Sequence, residues 1–153
     1  MTWVLAVPIT VIVEQLADIV VYALFGLENY EQEAVRYLKA ALNSPSRLTA
    51  ALLLILGAAP LIEEFLFRGL LQTWVKKYLG VKAAILIASL AFALFHISPA
   101  HGVGNISLVP SLFTFSCFLG FIYERQQSLY ASITLHMVFN CVTTLRILFS
   151  ETC

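Results

Sequence analysis

Between residues 48 and 79 the chain reads LTAALLLILGAAPLIEEFLFRGLLQTWVKKYL, a run apolar enough for a lipid interior that still carries Glu63, Glu64 and Arg68 near its centre. That pairing of apolar length with central charge constrains the fold more than any other feature. A bilayer core about 30 Å thick is spanned by about 20 helical residues, and backbone groups inside it must be satisfied within helices or closed barrels. Apolar runs of helix length recur at 3–25, 82–96, 108–123 and 129–149. With 60% hydrophobic residues, 12% charged and a mean hydropathy of +0.88, water is not the main solvent of this chain. We therefore expect an all-α fold: a polytopic transmembrane helix bundle of about five membrane helices plus one short interfacial helix, in a single membrane-embedded domain over 1–153.

The interfacial helix is expected from ENYEQEAVRYLKAALNSP, where Ala34, Val35, Leu38, Ala41 and Leu42 recur at helical spacing opposite Glu31, Glu33, Arg36 and Lys39. The first apolar run has no basic leader and contains Glu14 and Asp18, so it reads as a retained helix rather than a signal peptide. Pro60 removes a backbone donor, and its spacing predicts a break near Gly57 to Pro60, with Glu63 and Glu64 in the first turns of a restarted helix. Nine basic and nine acidic residues balance, which favours no nucleic acid; Lys76, Lys77, Lys82 and Arg125 against Arg36, Lys39 and Arg47 assign no orientation. Cys117, Cys141 and Cys153 form no CxxC pair and are assigned no chemistry.

A charged side chain at the centre of a membrane helix costs roughly 2.5–3.5 kcal/mol on insertion scales, so such residues face the protein interior. Here they fall in three segments. In EEFLFR, Glu64 and Arg68 are spaced i, i+4 as a favourable ion pair, while Glu63 points about 100° away. FALFH stacks Phe92 on His96, and HMVFN stacks His136 on Asn140. A carboxylate partly withdrawn from water is a stronger proton acceptor, so Glu63 is the expected general base, with His96 orienting or sharing the proton of a water. His136 and Asn140 are the expected donors to the oxygen that becomes negative in a tetrahedral intermediate. His101, after Pro99, is expected to face solvent. Two other chemistries use the same residues. Two glutamates and two histidines suit zinc, although there is no HExxH, and no metal or other cofactor is assigned. Glu14, Asp18 and Glu63 would suit a small transporter or proton relay.

On these three segments the sequence resembles the CAAX-protease and bacteriocin-processing family, whose best-known members are the Ras-converting CAAX endopeptidases. EEFLFR corresponds to the family's EExxxR, FALFH to its FxxxH and HMVFN to its HxxxN, in the family's order, with the likeness running over about 48–149. The resemblance implies an intramembrane, metal-independent glutamate endopeptidase. In it Glu63 and His96 activate water, His136 and Asn140 form the oxyanion site, and Glu64, Arg68 and Phe92 support them. The implied partner is a membrane-associated peptide or protein, lipidated or not, in or beside the bilayer; a homo-oligomer is left open because this chain has fewer helices than characterised family enzymes. A non-catalytic immunity or peptide-binding protein of the same family is the alternative.

Overall fold

The computed structural model describes residues 2–26 and 33–152. They form helices α1 (Thr2–Phe25), α2 (Glu33–Ala41), α3 (Pro45–Leu53), α4 (Ala59–Glu64), α5 (Thr73–Phe95), α6 (Asn105–Gln126) and α7 (Leu129–Thr152). Wide π-helical turns over Leu54–Ala58 and Phe65–Gln72 join α3 to α4 and α4 to α5, and a 3-10 turn, Pro99–Gly104, leads into α6. The start of the expected interfacial stretch lies outside the described residues. The part that is described, α2, buries Leu38 and Ala41 and leaves Arg36 exposed, as its amphipathic spacing requires.

Among the described residues, four helical stretches are long and apolar enough to cross a membrane, and one of them, Pro45–Phe95, is 51 residues long. Straight, it would extend about 75 Å, far beyond one bilayer core. Gly80 resolves this. Its φ of 78° and ψ of 174° lie in a region open essentially to glycine alone, and the chain doubles back there. Phe67 of the first arm (45–79) thereby meets Phe92 of the second (81–95), with ring centroids 5.2 Å apart. Counting both arms gives five apolar helical segments among the described residues, close to the expected number, although the second arm, at about 22 Å, is shorter than a full span.

Helix α6 is the centre of the bundle, with α1, α5 and α7 packed on it. Phe115, Leu119 and Ile122 of α6 join Ala6 and Leu135 in the core, and Phe115 stacks on Phe139 at 4.0 Å. Lipid tails are as apolar as leucine, so helix association in a membrane leans on close approach and on polar contacts rather than on hydrophobic burial. The first arm and α6 show both. Arg68 Nη2 donates to Ser116 O at 2.9 Å, Gln72 Nε2 to Gly120 O at 3.2 Å and Lys76 Nζ to Glu124 Oε2 at 2.6 Å. These rungs step four residues at a time on both helices, so the two run parallel and in one register.

The interruption expected near Gly57 to Pro60 takes a mild form: α-helical bonding gives way to a wide turn over Leu54–Ala58 and resumes as α4 at Ala59, with Pro60 at its start. Glu63 and Glu64 lie in the first turns of that restarted helix, but backbone angles stay helical through Ala58, Ala59, Phe65 and Thr73, so the path is widened rather than broken. The wide turn before the proline is the reason. Ala59 N–H donates to Leu54 O, five residues back, which opens the turn and gives the pyrrolidine ring room.

Candidate active site

The widened turn has a second effect. Ile55 O has lost the N–H of Ala59, which is bonded to Leu54 O, and the next candidate in a π pattern is Pro60, which has no N–H. A buried carbonyl needs a partner, and Asn140 Nδ2 of α7 donates to Ile55 O at 2.8 Å. Pro60 thus anchors Asn140 to the first arm.

One turn further on, Glu64 and Arg68 are fully buried and paired, Nη1 to Oε1 at 3.0 Å. Arg68 also donates to Ser116 Oγ at 2.6 Å and lies over the Phe92 ring, 5.0 Å from its centroid. Glu64 Oε1 accepts a second bond, from His136 Nδ1 at 2.9 Å. With Nδ1–H committed to Glu64, Nε2 of His136 faces Glu63 Oε2 at 3.8 Å.

His96 ends the second arm, where helical carbonyls lose their partners. Its Nδ1 lies 2.8 Å from Phe92 O, so Nδ1–H donates to that carbonyl and Nε2 is left facing Glu63 Oε2, at 3.9 Å. One carboxylate oxygen therefore stands before two imidazole nitrogens, at distances too long for direct hydrogen bonds and suited to one bridging water oxygen. Phe92 holds the rings apart: its centroid is 4.7 Å from that of His96 and 5.8 Å from that of His136.

Glu63, His96, His136 and Asn140 line a common cavity of about 490 Å³. Leu38, Ile55, Leu108, Leu112 and Phe139 supply much of its apolar wall. The four residues singled out from the motifs thus meet in one place, with Phe92 beside them on the wall and Glu64 and Arg68 outside the lining. The expectation for His101 is corrected. It is 8% exposed and lines the same cavity, because Asn105 ties its loop down, donating through Nδ2 to Ser98 O at 2.9 Å and to Gly102 O at 3.0 Å. Glu14 and Asp18 do not line the cavity; Glu14 is within electrostatic reach of Asp18 and of Arg146 on α7. Among the described residues, no three His, Cys, Asp or Glu side chains are grouped to hold a metal ion.

Sequence motifs missed Ser116, Gln72, Gly120 and the Ile55 carbonyl, whose roles depend on which helix lies alongside. The four-residue spacing of Ser116, Gly120 and Glu124, repeating that of Arg68, Gln72 and Lys76, was the available signal. Residues 45–142 match a family model described as type II CAAX prenyl endopeptidase Rce1-like. No curated protein and no solved structure matches the chain.

Proposed function

Because this chain belongs to the Rce1-like family of type II CAAX prenyl endopeptidases, we propose that it is an intramembrane endopeptidase whose nucleophile is a water activated by Glu63 and His96. It is an integral, multi-pass membrane protein, and its substrate is a membrane-associated peptide or protein that enters the apolar cavity. The observation that carries the reading is the convergence of Glu63 Oε2 on His96 Nε2 and His136 Nε2, at 3.9 and 3.8 Å, on the wall of that cavity.

The proton accounting is as follows. A water between Glu63 and His96 gives one proton to the Glu63 carboxylate as its oxygen attacks the scissile carbonyl, so a C–O bond forms and the carbonyl electrons move to oxygen. That oxyanion needs donors. Asn140 Nδ2 has two hydrogens, one committed to Ile55 O and one free for the cavity. His136 Nδ1–H is committed to Glu64, so His136 adds a donor at Nε2 only when both ring nitrogens carry a proton. Collapse breaks the C–N bond, and the proton held by Glu63 passes to the leaving amine. No covalent enzyme intermediate is required.

The test is turnover of a mixed peptide library, with lipidated and unlipidated C-termini, by detergent-purified protein, its Glu63→Gln variant and a chelator-treated sample. The expected result is cleavage that survives chelation and falls at least about a thousandfold in Glu63→Gln, the loss of an essential base. Cleavage abolished by chelation would replace this mechanism with a metal-dependent one. No cleavage by well-folded protein would move the chain to the peptide-binding members of such a family.

A further inference from the structure

Glu64 and Arg68 are both fully buried and adjacent, the setting in which a guanidinium and a carboxylate usually make two parallel bonds. Here they make one. Arg68 Nε and Glu64 Oε2 have no hydrogen-bond partner among the described residues. An unmade buried bond is costly, so another contact holds the pair out of the two-bond arrangement. Ser116 supplies it, accepting from Arg68 Nη2 with both its hydroxyl, at 2.6 Å, and its carbonyl, at 2.9 Å. The Phe92 ring, 5.0 Å from the guanidinium carbon, lies across its face.

The consequence falls on the imidazole. Glu64 Oε1 accepts from Arg68 Nη1 at 3.0 Å and from His136 Nδ1 at 2.9 Å. A guanidinium turned to grip both carboxylate oxygens would draw Glu64 toward itself and weaken the bond to His136.

We propose that Ser116 is a positioning residue: by holding Arg68 to a single bond with Glu64, it keeps Glu64 Oε1 aimed at His136 Nδ1 and so fixes His136 with Nε2 toward Glu63. The catalytic consequence rests on the peptidase reading; the effect on the imidazole does not. Glu63 and Glu64 on α4, Phe92 on α5 and Phe115 on α6 all face the His136 ring, and the Ser116 variants keep all four residues in place in the sequence.

The test uses the full chain labelled with ¹⁵N-histidine in detergent micelles, comparing wild type with Ser116→Ala and Ser116→Cys at a pH where the imidazoles are neutral. Wild type is expected to hold His136 as the Nδ1–H tautomer. Ser116→Ala should shift its tautomer ratio about tenfold toward Nε2–H, as expected from a weakened charge-assisted bond. His96, whose Nδ1 is held by Phe92 O, serves as the internal control and should not change. On a library peptide that wild type cleaves, kcat should fall about tenfold with KM within about twofold, the signature of an interaction used in the transition state. Ser116→Cys, similar in size and a poorer acceptor, should move the same way, and it replaces the alanine variant if that one does not fold. A His136 tautomer ratio unchanged in a folded Ser116 variant overturns the proposal. If wild type cleaves nothing, the peptidase reading fails on its own, while the tautomer comparison still decides what Ser116 does.

Discussion

Gly120→Ala is a change that helix propensity alone would favour, by about 1 kcal/mol. The packing between the first arm and α6 reverses that sign. A Cβ at residue 120 would lie 2.8 Å from Gln72 Oε1 and 3.2 Å from Ile85 Cγ2, where ordinary contact begins at 3.4 Å. The end of a glutamine side chain normally yields, but this one is fully buried. Its Nε2 donates to Gly120 O at 3.2 Å and to Glu124 Oε1 at 3.1 Å. Flipping the amide would set its oxygen against the Glu124 carboxylate, and withdrawing it would break both bonds. Overpacking of this kind costs about 1–3 kcal/mol, and each lost bond costs about 0.5–1.5 kcal/mol. After the propensity gain, the expected net loss is about 2 kcal/mol. Unfolding of the purified protein in mixed micelles, followed by circular dichroism, measures it. Repeating the change in a Gln72→Ala background should recover at least about 1 kcal/mol as coupling energy, because the obstructing atom is gone. A Gly120→Ala protein more stable than wild type, or one that shows no coupling to Gln72, would refute this account of how the two helices fit.

Pro60→Ala should leave stability equal or improved, since it returns a backbone N–H to the helix, yet lower activity about tenfold or more. The restored donor competes for Ile55 O and releases Asn140, which under the proposed mechanism is part of an oxyanion contribution worth a few kcal/mol. Turnover normalised to folded protein separates the two effects, and a variant of full activity would show that Asn140 needs no such anchor. Arg68→Leu should destabilise by about 3–5 kcal/mol, because it strands the fully buried Glu64 carboxylate. Chemical unfolding checks this, and a loss below about 1 kcal/mol would mean that the ion pair does not hold the bundle together.

The membrane helices were legible because hydropathy and length act residue by residue, and the Glu64–Arg68 pair because both partners sit on one helix, four positions apart. That Glu63, His96, His136 and Asn140 share a cavity followed from their being polar in apolar helices, which leaves them little choice but the interior. The place of the interruption before Pro60 was legible from its missing donor, but not its mildness, because that depends on whether the preceding turn can widen and nothing local to the proline announces it. His101 was misread for a similar reason: a histidine after a proline is usually solvated, and its burial here follows from the tether that Asn105 makes to Ser98 and Gly102. Ser116 and Gly120 are ordinary residues in an apolar helix until Arg68 and Gln72 are brought alongside.

The reversal at Gly80 also sets an order of assembly during synthesis. Glu63 and His96 stand on the two arms of one hairpin, so their meeting closes a short stretch of chain and can occur while α6 and α7 are still being made. His136 and Asn140 arrive with α7 and reach the first arm only after it docks. Under the proposed mechanism, a newly inserted chain would carry its water-activating pair before its oxyanion donors, and would stay silent toward neighbouring membrane proteins until α7 had docked.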